Sequence, residues 1–250
     1  MGDWYHEPAF EAYYGMRMDP TEPPNALFNG LNTWNASGKI VGQKYETTAT
    51  PGKKHRLRII NMSTDSHFKF SIDQHVMTVH SADFVAIEPY NTTTLNIFIG
   101  QRYDIVINAD QPIANYYMRL TPSSGCSNIT NPDLTAILHY DGADNSLPTS
   151  TPYIPPNMVC EDETGLVPIV ERNAGPFSFS TGMDITIDEA MLASEGIFSW
   201  NVNGTSFKID WDDPTLLKVE NHDNSYPADY NVVELNGTSS TVNHFFCSLR

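Results

Sequence analysis

From Thr50 to Asn108 the chain alternates apolar and polar residues with a period of two, and no other feature of the sequence restricts its fold as strongly. Phe68, Phe70 and Ile72 fall on one side of such a run, with His67, Lys69 and Ser71 on the other. Leu95, Ile97 and Ile99 repeat the pattern, and so do Tyr103, Ile105 and Ile107. A period of two marks a β-strand with one buried face, because successive side chains leave the backbone on opposite sides. A helix would need apolar residues every three or four positions, and no such run of useful length occurs here. Asp73-Gln74, between two short runs, reads as a tight turn. The stretch is expected to form several antiparallel strands of an all-β sandwich.

The chain is large enough to bury a core: 250 residues, of which 40 % are hydrophobic, with 12 Phe, 12 Tyr and 4 Trp. Its net charge of −16, from 30 acidic and 14 basic residues, argues against nucleic acid or an anionic membrane surface as partner. No apolar run approaches the roughly 18 residues of a membrane-spanning helix. Met1-Gly-Asp-Trp leads straight into polar and aromatic residues, without the apolar core of a signal peptide. Yet Asn35, Asn61, Asn91, Asn128, Asn203 and Asn236 each begin an Asn-x-Ser/Thr triplet, six in all, as in a secreted glycoprotein. The expectation is a fragment, or a shortened gene model, of an exported protein kept soluble by its charge.

The three cysteines, Cys126, Cys160 and Cys247, contain no Cys-x-x-Cys pair, which disfavours a zinc or thioredoxin-like site. In an exported protein Cys126 and Cys160 can pair and tie a domain end to the segment after it, leaving Cys247 over.

Punctuation by Gly, Pro and Asn divides the chain. Residues 1–24 mix Trp4, Tyr5, Phe10, Tyr13 and Tyr14 with prolines and read as a connector that ends a preceding domain. Residues 25–145 read as a complete Greek-key sandwich, opening with a short strand and turn at Asn25–Asn32 and closing with strands at Asn115–Leu120 and Thr135–Tyr140. Residues 146–165, with Pro148, Pro152, Pro155 and Pro156, read as a stiff linker. Residues 166–250 begin a second set of strands at Phe177–Phe179, Met183–Ile187 and Ile197–Gly204, too few for a whole sandwich of roughly 100 residues.

None of His6, His55, His67, His75, His80, His139, His222 and His244 forms a His-x-His pair. His75 and His80 are expected on opposite faces of one strand, and His67 and His75 are the one pair that a hairpin would bring together. Solvated or hydrogen-bonded histidines are the competing reading. Nucleophile elbows and phosphate loops are absent, and Asp83, Glu88, Asp104 and Asp110 are scattered acids that read as turn formers or solvated acids rather than as paired carboxylates.

Particular residues carry a resemblance. Thr50-Pro-Gly-Lys-Lys-His-Arg-Leu-Arg-Ile-Ile-Asn, His75-Val-Met-Thr-Val, Ala82-Asp-Phe-Val and Gly100-Gln-Arg-Tyr-Asp-Ile-Val-Ile resemble the middle domain of fungal laccases, within the multicopper oxidases. Asp3-Trp-Tyr-His resembles the end of that family's first domain, and Phe198-Ser-Trp-Asn-Val-Asn-Gly with Ile209-Asp-Trp-Asp-Asp-Pro the start of its third in ascomycete laccases. The resemblance covers roughly residues 1–235; residues from about Gly237 onward depart from it. It implies cupredoxin-like sandwiches, and one-electron oxidation of phenolic small molecules coupled to reduction of dioxygen to water. Copper serves that chemistry in the full-length family. Its ligand motifs, two His-x-His, a His-Pro-x-His-x-His and a His-Cys-His, do not occur in this sequence, so no copper is expected to be bound by this chain alone and no activity from it. His6 is followed by Glu7-Pro8 where a ligand motif would continue to a second His.

The same resemblance implies packing against a missing first domain and the rest of a third, and it likens Cys126 and Cys160 to a disulfide pair of the ascomycete subgroup. Ala82, Asp83 and Phe84 resemble the edge of the family's phenol pocket, where an acid can accept the phenolic proton; a solvated turn acid is the alternative for Asp83. Iron-oxidising relatives carry a Glu two positions before that Asp, and Ser81 stands there in this chain. A function of a different class is a non-catalytic β-sandwich binding module derived from the oxidase, docking through faces that neighbouring domains would cover.

Overall fold

The computed structural model describes residues 24–63, 66–172, 186–192, 197–206, 210, 212–230 and 232. They belong to two compact units divided after Glu171. The connector aromatics, Phe177–Phe179, Met183, Asn236, Cys247, His6 and His244 lie outside the described residues.

The first unit is a sandwich of two sheets. A hairpin of β1 (Thr33–Ala36) and β2 (Lys39–Gly42) precedes it. One sheet contains β3 (Glu46–Ala49), β5 (Phe68–Ile72), β8 (Leu95–Ile97), β10 (Asn115–Pro122) and β11 (Thr135–Tyr140), in the order β3-β11-β10-β5-β8. The other contains β4 (Lys54–Ile60), β6 (Met77–Ala82), β7 (Val85–Thr92) and β9 (Arg102–Asn108), in the order β4-β9-β6-β7. All pairings in the two sheets are antiparallel except β3 with β11. Within the sandwich only β6–β7 and β10–β11 join sequence neighbours inside one sheet; every other connection crosses between sheets.

The alternation read from sequence places the core. Tyr103, Ile105 and Ile107 of β9 face inward with Met77 and Val79 of β6, and they join Phe70, Ile72, Leu95, Ala136 and Leu138 of the other sheet in one buried cluster. Burying a Leu or Ile side chain contributes roughly 1.5–3 kcal/mol, so this cluster is the main stabilising element of the unit. Ile99, which the pattern grouped with Leu95 and Ile97, lies in the turn after β8 and is exposed.

β5 departs further from expectation. Every one of its residues is buried, the polar Lys69 and Ser71 included. The cause is the segment expected as a linker, which lies along the outer face of the five-stranded sheet as a strap. Asn115 Nδ2 donates to the carbonyls of Asp144 and Ser146, and Ser150 Oγ donates to Asp73 at 2.7 Å. Ser124 N donates to Met158 O, and Cys126 and Cys160 are joined by a disulfide with Cα atoms 5.9 Å apart. The acids after Cys160 then reach three elements. Glu161 pairs with Lys69, Asp162 accepts from Gln101, and Glu163 accepts from the Asn96 backbone and side-chain amides and from Tyr90. Finally Val167 and Ile169 bond the backbone of β7 around the Ile87–Pro168 bridge.

Asp73-Gln74 does form a turn: His75 N donates to Ile72 O at 3.1 Å, and Gln74 adopts φ 60°. It carries the chain from one sheet to the other, so it is no hairpin. His75 precedes β6 instead of lying on it, buried while His80 is exposed. The second unit, taken by itself, shows β12 (Ile187–Leu192) paired antiparallel with β13 (Ile197–Val202), and one short helix, α1 (Thr215–Glu220), entered through Pro214.

Candidate functional site

The substrate-facing residues expected from sequence, Ala82, Asp83 and Phe84, lie at the β6–β7 hairpin. Ala82 pairs with Val85, so Asp83 and Phe84 are the two loop residues. A two-residue hairpin loop that matches strand twist needs positive φ at both positions, and these residues adopt 46° and 69°. Asn-Gly or Asp-Gly meets that demand freely, and Asp tolerates it. A phenylalanine there is strained, at about 1–2 kcal/mol, because its Cβ crowds the following carbonyl. A register shift at His80, present in the pairings with both β7 and β9, bulges β6 just before the loop and re-aims its end.

Arg102, the first residue of β9, holds the loop in place. Asp83 N donates to Arg102 O at 2.8 Å, and Arg102 N donates to Asp83 Oδ1 at 3.0 Å. The guanidinium Nε lies 3.3 Å from the same oxygen, and the guanidinium carbon sits 4.6 Å from the Phe84 ring centroid. Asp83 is half-exposed, and Phe84 is 81 % exposed. Exposed Ile60, paired with Arg102 across β4 and β9, adds an apolar flank. The arrangement can present a carboxylate and an aromatic face to a ring-bearing ligand.

The other acids are engaged differently. Asp104 is ion-paired with Arg56 and lies 3.7 Å from Arg58. Asp110 is exposed and accepts from Gln111, and Glu88 is exposed with its backbone tied to Val167. Ser81 sits opposite Asp104 on β9.

The sandwich does not bring His67 and His75 together as a pair. His67 Nδ1 meets Ser123 Oγ at 2.6 Å, and its ring packs 4.0 Å from that of Phe98. His75 Nδ1 donates to Asp73 O at 2.7 Å, and its Nε2 meets the Tyr140 hydroxyl at 2.6 Å. Burial holds both imidazoles below the usual histidine range, and for His67 nearby Lys69 adds to the effect. The hairpin reading of this pair is thereby corrected: β5, which follows His67, and β6, which follows His75, belong to different sheets. His55 Nε2 accepts from Thr50 N at 3.0 Å. Among the described residues no three His, Cys, Asp or Glu side chains converge as a metal site.

Of the glycosylation candidates, Asn35, Asn91, Asn128 and Asn203 are exposed. Asn61 is buried, and its Nδ2 donates to Ser66 O at 2.8 Å and Ile97 O at 3.1 Å, which leaves that nitrogen no path to a sugar. Sequence reasoning missed two arrangements. One is Arg102, whose partners are remote in sequence. The other is buried Asp73, gripped by Arg119 Nε and Nη2 at 2.7 and 2.8 Å and by Ser150. The alternation of β10 puts Arg119 on the polar face, which was the available signal for the second.

The profile of the family described as multicopper oxidase matches residues 1–143. Laccase-2 of Botryotinia fuckeliana is 38% identical over 248 residues, covering 95% of this chain and 42% of that protein. The laccase of Cryphonectria parasitica is 39% identical over 235 residues, covering 93% of this chain and 39% of that protein. The crystal structure of the laccase from Botrytis aclada superposes with a TM-score of 0.77 at 38% identity, over 91% of this chain and 43% of that one. The chain thus spans about two-fifths of the length of the curated relatives it matches.

Proposed function

The chain belongs to the multicopper oxidase family, and on that premise we propose that it is the middle part of a secreted, laccase-like oxidase of phenols in which Asp83 receives the phenolic proton. The observation that supports this reading is the Asp83–Phe84 loop: a half-exposed carboxylate beside an exposed aromatic ring held in a strained conformation. Strain of this kind returns nothing to folding when the side chain stays in water, and it concentrates at binding sites.

One-electron oxidation of a phenol releases an electron and a proton. A carboxylate within hydrogen-bond reach of the hydroxyl takes the proton as the electron leaves, which spares the ring a high-energy radical cation. Asp83 Oδ1 is occupied by Arg102, and among the described residues no hydrogen bond reaches Oδ2, which is left for the hydroxyl. Phe84 offers a face for the ring, worth about 0.5–1.5 kcal/mol beyond the area it buries. In a whole oxidase of this family, bound copper would supply the acceptor for that electron. The described residues supply no converging ligand set for it, so the roles assigned to this chain concern the proton and the ring.

The test compares two electron donors in a polypeptide that joins this segment to copper-bearing domains. Asp83→Asn should lower kcat/KM for 2,6-dimethoxyphenol at least tenfold and leave oxidation of ferrocyanide, which carries no proton to lose, unchanged. Equal losses for both donors, or no loss for the phenol, would refute the role.

A further inference from the structure

The two loop residues have one feature in common, and it comes from another strand. Asp83 and Phe84 hold φ values of 46° and 69° without a glycine to relieve either. Such a conformation persists only where its surroundings over-determine it. Arg102 does so through its backbone and through its guanidinium, whose Nε makes an ion pair but no hydrogen bond. Its N and O bond the side chain and backbone of Asp83, its Nε faces Asp83 Oδ1 at 3.3 Å, and its guanidinium lies 4.6 Å from the Phe84 centroid. Nη1 donates to the carbonyl of Gly100, two residues back, and this fixes the guanidinium in turn. Arg102 is only about one-third exposed, although it stands beside an open hairpin tip.

We propose that Arg102 is a positioning residue for phenol recognition, pinning Asp83 Oδ1 and one face of Phe84 so that Oδ2 and the opposite ring face meet the substrate together. The inference rests on the reading that Asp83 receives the phenolic proton. Both Asp83 contacts fall on the same oxygen. An ion pair serving stability alone gains nothing from a phenylalanine in the left-handed region and 81 % exposed. A planar guanidinium can pair a carboxylate with its edge and stack a ring with its face; an ammonium manages only the first. Without the guanidinium, Phe84 leaves its orientation and Asp83 loses its ion pair, while the two backbone bonds between Asp83 and Arg102 remain. The substrate this geometry suits carries its hydroxyl and its stacking ring as one rigid body, as a simple phenol does.

The experiment titrates the 250-residue chain with 2,6-dimethoxyphenol and, separately, with its methyl ether 1,2,3-trimethoxybenzene, following backbone amide resonances of the loop. Asp83→Asn should weaken the phenol at least fivefold and spare the ether. Arg102→Gln should weaken both at least fivefold, because the ring is released and the carboxylate keeps only its backbone bond, and the upfield ring-current shift of the Arg102 side-chain protons fixes its stacking in the parent protein. Arg102→Lys should recover part of the phenol's affinity and none of the ether's. Unchanged phenol affinity in Arg102→Gln beside lost affinity in Asp83→Asn overturns the positioning role alone. Unchanged phenol affinity in Asp83→Asn overturns the underlying reading, and the inference with it. Should Arg102→Gln fail to fold, the Arg102→Lys split between the two probes decides: equal effects on both overturn the inference.

Discussion

His75 accepts the Tyr140 hydroxyl on Nε2 at 2.6 Å while its Nδ1–H points at the Asp73 carbonyl 2.7 Å away, so the core contains a neutral imidazole in one fixed tautomer. Burial also pushes the Tyr140 hydroxyl up to about 12, which keeps it a donor throughout the useful pH range. Because the folded imidazole is held below its unfolded value near 6.5, the unfolded chain binds more protons in between. Stability is therefore complete above about pH 6.5 and falls as the pH drops through the folded value. His67 acts in the same direction. Urea unfolding from pH 4.5 to 8 should show this slope; a flat profile below 6.5 contradicts it. Tyr140→Phe strands Nε2 and should cost about 1–3 kcal/mol.

Asp73 is the most consequential buried acid. Removing its charge by Asp73→Asn leaves Arg119 without its bidentate partner and should cost about 3–5 kcal/mol by urea unfolding. Ser150→Ala removes one neutral donor to the same carboxylate and should cost about 1 kcal/mol. Equal costs would show that the grip is not ionic.

Opening the Cys126–Cys160 bond by a double Cys→Ser change frees a loop of 34 residues in the unfolded chain. The chain-entropy relation puts the loss at about 3–4 kcal/mol. Calorimetric or urea data giving less than about 1 kcal/mol would mean that the strap's polar contacts fix it without the bond.

Strain at Phe84 is separable from its contacts. Phe84→Gly and Phe84→Ala lose the same ring, but only glycine accepts φ near 69° freely. The glycine variant should exceed the alanine variant by about 1 kcal/mol in unfolding free energy. Both should bind the phenol probe less well than the parent.

Glycopeptide mapping of secreted protein should find Asn61 bare, since its amide nitrogen is committed to two carbonyls inside the fold. Occupied sites should fall among the exposed candidates such as Asn35 and Asn91.

The period-two runs revealed the sandwich and the inward faces of β8 and β9, where buried residues alternate with more accessible ones. They misled at β5, where the polar side chains are covered by a segment about 80 residues later, and composition alone made that segment look like a free linker. The role proposed for Asp83 came from resemblance alone, and the disulfide was legible through resemblance and cysteine arithmetic. Arg102 was not, because its meaning comes from the β6–β9 register, and a strand pairing carries no local mark in sequence. Asn61 matches a local motif, yet the fold buries it and commits its amide nitrogen to two carbonyls, which no local signal announces.

The strap also settles how the first unit answers a mechanical load. Tension applied at Glu171 meets the backbone bonds to β7 first, then the Glu163, Asp162 and Glu161 contacts, in the manner of a zip opened from one end. The tear stops at Cys160, which transfers the force covalently to Cys126 at the mouth of the five-stranded sheet. The segment between the two cysteines, Ser150 included, stays unloaded. A pull strong enough to bare Lys69 thus leaves the core sealed, and the molecule yields by a fixed, short length before it resists.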